Sequence, residues 1–299
     1  SGKQVRKTEV LIAGGGIGGS ALFRYFAEAG KKTVLINADR GSSWRNIGGG
    51  RPAFSIPELA ESPVITKDIE ETQKEYDIHY REIRYITFAH DEATYNDLER
   101  SCGWSNAYLI DKKDFQKEVS PYFNTNQNTY FAAQISQHCW QATPGRVIDF
   151  IRNKGKERQG EVLEDTHLVE VHKNGGKYHV LLYTHDKRYI EYECDHFVNA
   201  LGYSAERFAR MQAFTPASTG QAQALITHRL PNLGKDGDIL DMLIDRRKRN
   251  DFSAVYGQQF AETGQIIACA SPAVDAKAEI SNFDELKFNT RRFMEIISA

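Results

Sequence analysis

An excess of either charge is missing from this chain: 38 Lys and Arg face 40 Asp and Glu, leaving a net charge of −2. That balance argues against a nucleic-acid partner on bulk electrostatics. Cysteine is scarce and scattered, at Cys102, Cys139, Cys194 and Cys269, with no C-x-x-C pair. A disulfide framework and a structural zinc site are therefore not expected, and a reduced, cytoplasmic protein is. No apolar run is long enough to span a bilayer, and the polar start Ser1 to Lys7 has no signal-peptide core. A start at Ser1-Gly2 without Met reads as a trimmed tag or a fragment. Internal repeats and low-complexity segments are absent. No Ser-His-Asp or metal-ligand spacing stands out, since His138 beside Cys139, and His167 with His172, lack the companions of a metal site.

What is present begins near the amino end. Val10 to Ala13 is a short apolar run that reads as a buried parallel strand, and it breaks at Gly14-Gly15-Gly16-Ile17-Gly18-Gly19. A helical pattern follows through Leu22, Phe23, Phe26 and Ala27 to Gly30, and then a second apolar run, Lys32 to Ile36. Gly14, Gly16 and Gly19 fall on the G-x-G-x-x-G spacing inside the strand–helix–strand context that the motif needs. The first glycine permits a tight turn, the second lets backbone approach a pyrophosphate, and the third lets helix and strand pack closely. An acidic residue about 20 positions on should hold the ribose hydroxyls. Asn37 stands at that position instead, with Asp39 two residues later.

With 40% hydrophobic and 11% aromatic residues over 299 positions, the chain can bury a large core, and two intertwined domains are expected. Strands are expected at 84–89, 106–110, 130–135, 161–163, 196–202, 221–227, 252–260 and 265–270, with a three-stranded meander from His167 to Cys194. Helices are expected at 91–102, from Asp111 to Val119, from Pro144 and at 283–297, and an exposed helix and loop at 58–76. The segment 238–250 reads as helix or loop, its basic run Arg246 to Arg249 as a solvated face. These elements place a mixed sheet outside the first βαβ unit. The fold class is α/β with an α+β second domain: a discontinuous dinucleotide-binding domain (1–83 and 141–215) interleaved with a substrate domain (84–140 and 216–299).

The order of motifs resembles the D-amino-acid oxidase-like superfamily of FAD-dependent amine oxidoreductases, nearest the sarcosine oxidase beta subunit and dimethylglycine dehydrogenase branch. The residues Val10 to Gly19 resemble its pyrophosphate loop. Ser42-Ser43-Trp44-Arg45-Asn46-Ile47-Gly48-Gly49-Gly50 resembles a segment that runs beside the flavin. Val198-Asn199-Ala200-Leu201-Gly202 resembles a strand near the cofactor. Gln223 to Thr227, Tyr256-Gly257-Gln258-Gln259 and Gly264 to Ile267 resemble substrate-domain strands. The family pattern continues beyond Ala299, so the expectation is a truncated chain, a site completed by a partner subunit, or a homologue that binds flavin poorly.

The resemblance implies FAD as cofactor, held by Gly14, Gly16, Gly18, Gly19, Asn37, Asp39, Ser42, Ser43, Arg45, Asn46, Gly48, Gly49, Gly50, Val169, Ala200 and Gly202. It implies oxidation of a small amine or amino acid by hydride transfer to flavin N5, the protein supplying orientation and electrostatics. Arg51 is the candidate cation for a substrate carboxylate. Tyr256 and Gln259 lie on the strand that faces substrate in relatives. Neutral Gln258-Gln259 in that strand favours a secondary or N-methylated amine. The alternatives are a 2-hydroxy-acid or glycerol-phosphate-type flavoenzyme, and a non-catalytic flavin-fold subunit needing a partner chain.

Overall fold

A computed structural model describes residues 5–51, 63–124, 130–205, 208, 223–246 and 252–272. In chain order its strands are β1 (Arg6–Ala13), β2 (Thr33–Asn37), β3 (Gly49–Gly50), β4 (Arg81–Ala89), β5 (Ala107–Asp111), β6 (Ala132–Gln141) and β7 (Glu161–Glu164). They continue with β8 (His167–Asn174), β9 (Lys177–Tyr183), β10 (Tyr189–Asn199), β11 (Gln223–Arg229), β12 (Met242–Asp245), β13 (Phe252–Gln259) and β14 (Gln265–Pro272). The helices are α1 (Ile17–Glu28), α2 (Pro63–Glu75), α3 (Glu92–Cys102), α4 (Phe115–Glu118) and α5 (Pro144–Lys156). The chain divides into two compact units, residues 1–46 with 143–219 and residues 47–142 with 220–299.

The first unit is a six-stranded sheet in the order β7-β2-β1-β10-β9-β8. The strands β7, β2, β1 and β10 run parallel, while β9 and β8 are antiparallel additions. Alternate residues of β1 serve opposite cores: Leu11 and Ala13 pack with Val34 and Ile36, Val10 and Ile12 with Phe23 and Leu35. A parallel strand covered on both faces has to be apolar at every position, which is why this run does not alternate. Phe23 of α1 has no exposed surface, and its ring lies where a Cβ on Gly155 or Gly160 would be, 2.4 Å away in each case. Those two glycines let α1 and the end of α5 close over the ring, a burial contributing about 1.5–3 kcal/mol.

The tail of the meander and the short strand at 196–202, expected as separate pieces, are one 11-residue strand, β10. Its first half pairs antiparallel with β9, and from Tyr192 to Asn199 it pairs parallel with β1. Its last residues are half-buried or exposed rather than fully buried.

The second unit is an eight-stranded sheet in the order β11-β14-β13-β12-β4-β6-β3, with β5 also pairing β6. Aromatic stacking anchors one face, with Phe88 against Phe115, Phe123 and Tyr130. The helix α3 starts where expected, because the Asp91 carboxylate accepts the Thr94 amide at 2.7 Å.

Two readings are corrected. Residues 242–245, expected as helix or loop, form β12, parallel to β4 and antiparallel to β13. Four residues are too few to show a period, and the slot between two long strands decides the matter. Of the segment expected in the first unit, residues 47–51 and 63–83 cluster with the second, because β3 pairs β6 and β4 lies at the centre of that sheet. The expected helix at 283–297 lies outside the described residues.

Candidate functional site

In the first unit the glycine loop turns at Gly14, whose φ of +109° suits glycine. A Cβ there would sit 2.1 Å from the Ala200 carbonyl oxygen, and one on Gly19 would sit 1.9 Å from the Gly14 carbonyl oxygen. These two glycines are demanded by the turn and by the contact between α1, the loop and the end of β10. Gly16 and Gly18 differ: a Cβ on Gly16 would meet only Ser43, its Oγ at 3.0 Å, and one on Gly18 would meet nothing within 4 Å. The amino end of α1 is therefore open. Gly16 has no side chain to cap it, and the Ile17 amide donates instead to Ser43 Oγ at 3.0 Å. A helix start with open space at Gly18 suits an anion such as a pyrophosphate.

Beside this loop is a set of side chains that the motif spacing does not reveal. Arg152, on α5, is only 4% exposed. Its guanidinium donates to the Gly15 carbonyl (2.5 Å), to Ser20 Oγ (3.1 Å) and to Glu164 Oε1 (2.6 Å). It also lies 4.9 Å from the centre of the Trp44 ring, a cation–π distance. Burial pulls the Arg152 pKa down, and Glu164 and then Asp149 partly offset that. The other Glu164 oxygen, Oε2, accepts from Asn37 Nδ2 at 2.8 Å. Asn37 and Arg152 both crowd the space where a Gly15 Cβ would be, so the middle glycine of the triplet is fixed by them.

Asn37 is buried, and its amide donates to a carboxylate that the expectation did not include. Asp39, Ser42, Arg45 and Asn46 are exposed on the connection that follows. Val169 lies at a β-bulge: Leu168 and Glu170 have partners on β9, and Val169 has none in that ladder. Ala200 donates its amide to Ala13 O at 2.8 Å, and Gly202 has a φ of +58°.

In the second unit the segment at Ile47 to Gly50 is bound to the sheet. Gln258, fully buried, donates Nε2 to the Ile47 carbonyl at 2.6 Å, while its Oε1 has no partner among the described residues. Ala142 donates its amide to the Gly48 carbonyl at 2.9 Å. A Cβ on Gly49 would fall 2.4 Å from Tyr85 Oη, and one on Gly50 would fall 2.2 Å from the Trp140 ring. Packing inside this unit thus accounts for both glycines without a ligand.

Arg51 lies 6.0 Å from the Tyr85 ring centre. Burial drives the Tyr85 phenol far above its ordinary pKa, with Cys139 adding to the rise, Arg51 opposing it and Tyr256 adding a little more. Arg51 and Tyr256, two of the three residues expected near substrate, are thus both within electrostatic reach of Tyr85. Gln259 is engaged elsewhere. It is fully buried and donates Nε2 to the carbonyls of Leu230, Pro231 and Gly264, while Oε1 accepts the amides of Leu233 and Leu240. Its amide staples the 230–240 loop, and its bonds are spent there. A cavity of about 740 Å³ in this unit includes Arg84, His138 and Asp238 in its lining, but none of the expected site residues. Its charges are largely paired, Arg84 with Asp241 and His138 with Glu82. No group of His, Cys, Asp and Glu that could hold a metal occurs among the described residues.

A βαβ unit with a glycine-lined helix start at the carboxyl ends of parallel strands is the arrangement of the dinucleotide-binding α/β folds, and the second unit adds a mixed sheet. The family model for DAO, the FAD dependent oxidoreductases, matches residues 9–299, and the chain belongs to that family. Among solved structures it is similar to L-proline dehydrogenase from P. horikoshii, at 19% identity and a TM-score of 0.73, covering 98% of this chain and 77% of that one. The L-alpha-glycerophosphate oxidase from Mycoplasma pneumoniae, with FAD bound, aligns at 15% identity and a TM-score of 0.68, covering 90% and 72% of the two chains. Glycine oxidase from Bacillus cereus aligns at 16% identity and a TM-score of 0.62, covering 93% and 77%. No curated protein sequence matches. The protein is an FAD-dependent oxidoreductase, and among its described residues no helix is long and apolar enough to cross a membrane.

Proposed function

We propose that the protein oxidises a small secondary or N-methylated amine or amino acid, with Arg51 engaging the substrate carboxylate. The supporting observation is the gathering of Arg51, Tyr256 and Tyr85 beside the Gly48–Gly50 segment, while Gln258 and Gln259 of β13, both bonded to backbone, bring no second charge for a dianion such as a phosphate ester. FAD, once bound, supplies the electron acceptor for cleavage of the C–H bond next to nitrogen. Arg51 would fix the anionic end through charge-assisted hydrogen bonds. The Tyr85 phenol, kept protonated by burial, remains a hydrogen-bond donor at any pH where the amine is neutral enough to react. The pyrophosphate would be held at the start of α1, beside Ser43, with Val169 a further candidate for holding the cofactor. Of the solved structures named above, the L-proline dehydrogenase and the glycine oxidase support an amine substrate, and the glycerophosphate oxidase supports the hydroxy-compound alternative that the test below includes. The cysteines at 102, 139, 194 and 269, all unpaired, accord with a cytoplasmic setting.

The test is anaerobic bleaching of flavin absorbance on mixing FAD-loaded protein with sarcosine, proline, glycine or glycerol 3-phosphate. Bleaching by the secondary amines supports the reading. Bleaching by glycerol 3-phosphate alone overturns the amine assignment, and protein that takes up no FAD overturns the enzymatic reading.

A further inference from the structure

Asn37 offers a ribose a neutral amide oxygen and no charge. It is 8% exposed, and its amide nitrogen is turned toward Glu164. The pairing register sets the two residues side by side, Asn37 at the end of β2 and Glu164 at the end of β7. Parallel strands put both at the carboxyl edge of the sheet, where dinucleotides lie in this architecture. Glu164 differs from Asn37 in being half exposed, with 51% of its side chain open to solvent.

Its carboxylate is also held in place. Asn37 Nδ2 donates to one oxygen and Arg152 Nη1 to the other. The turn beneath it is fastened as well: the Thr166 amide donates to the Asn37 carbonyl at 3.0 Å, and Thr166 Oγ1 donates to the Glu164 carbonyl at 2.9 Å. A carboxylate has about four acceptor sites. Two are used here, and the exposed side of the group retains the others.

We propose that Glu164 accepts the adenosine ribose hydroxyls of the bound dinucleotide, and that Asn37 and Arg152 are positioning residues that aim it. The negative charge that the motif calls for at the end of the second strand is supplied from the neighbouring strand. This inference rests on the FAD reading above.

Calorimetric titration of the apoprotein with FAD, ADP and 2′-deoxy-ADP tests it without any turnover. A hydrogen bond to a charged acceptor corresponds to about tenfold or more in affinity. Wild type should therefore prefer ADP to 2′-deoxy-ADP by about tenfold, and Glu164→Gln should reduce that preference to about twofold. In the double variant Asn37→Asp with Glu164→Gln, the carboxylate moves back to β2, and the preference should return. A residue that only supports the fold would lower both affinities together and leave their ratio unchanged. If Glu164→Gln does not fold, Glu164→Asp, which withdraws the charge by one methylene, provides the same comparison. Wild type that binds FAD and ADP but shows no preference, or a Glu164→Gln protein that keeps the full preference, overturns the assignment and leaves the FAD reading standing. Wild type that binds neither FAD nor ADP overturns both.

Discussion

Removing Glu164 should destabilise the first unit more than removing Arg152. The two share one ion pair but stand in different surroundings. Arg152 is 5% exposed in its side chain, Glu164 51%. In Arg152→Met the abandoned carboxylate can hydrate, and Gly15 O keeps the Ser20 hydroxyl at 3.0 Å. The methionine refills the space under Trp44, and the guanidinium's desolvation is no longer incurred. A net change within about 1 kcal/mol is expected, as when buried charge gives way to a well-packed apolar side chain.

In Glu164→Leu, by contrast, a cation stays in a buried site whose remaining hydrogen-bond partners are a carbonyl and a hydroxyl, with an aromatic face beside it and Asp149 the weaker charge left to offset it. Breaking a fully buried pair costs about 3–5 kcal/mol. The half-exposed carboxylate scales that down to about 1–2 kcal/mol. Thermal unfolding without ligand reads the difference: at roughly 4 °C per kcal/mol, Glu164→Leu should melt about 4–8 °C below wild type, with Arg152→Met within about 4 °C of it. An Arg152→Met protein that melts well below Glu164→Leu would refute the reasoning, because the guanidinium would then be contributing more than its burial costs.

Gly19→Ala should place its methyl 1.9 Å from the Gly14 carbonyl oxygen and force α1 off the loop, costing at least about 1–3 kcal/mol and abolishing FAD retention on a desalting column. Gln259→Leu should destabilise by about 3 kcal/mol through orphaned backbone groups in the 230–240 loop, as read by urea denaturation, with FAD affinity unchanged. Arg51→Met should raise KM about 100-fold for amino-acid substrates but little for an amine lacking the carboxylate. Burial raises the Cys194 thiol to about 11 and Cys139 to about 12. Both stay protonated at pH 8, so Ellman's reagent should titrate half-buried Cys102 in native protein, and Cys139, Cys194 and Cys269 only after unfolding. The sign for stability follows from the same shift: each raised thiol favours the fold up to its unfolded value of 9.0, and that contribution is lost as pH climbs toward 11 or 12.

The glycine motif was legible because a turn with φ near +109° and a close helix approach leave few residue choices, and those choices are local. The meander was legible from its alternation and its Gly175-Gly176 turn, where both φ values are positive. What the sequence hid depends on pairing between distant segments. Nothing in Met242 to Asp245 announces a strand until β4 and β13 stand on either side. Glu164 reads as an ordinary polar residue after Leu163, and Arg152 as one more charge on an amphipathic helix. Only the parallel pairing of β2 with β7 brings that acid to Asn37. Had the third strand of the βαβ sheet been registered against the second, an acid at its last position would have been the signal to look for. Gln259 shows the converse: a polar side chain on a strand attributed to substrate is consumed by backbone groups that no sequence pattern displays.

The single strand β10 makes the outlying hairpin and the support of the glycine loop parts of one rod. Because side chains along it alternate faces, lengthening the rod by one residue between Cys194 and Asn199 would invert every contact downstream and carry the Ala200 carbonyl away from Gly14. An extra residue at the Gly175-Gly176 tip would be absorbed by the turn. Peptide tags or fluorophore-bearing insertions belong at that tip, which offers a handle on the first unit at little cost to its glycine loop.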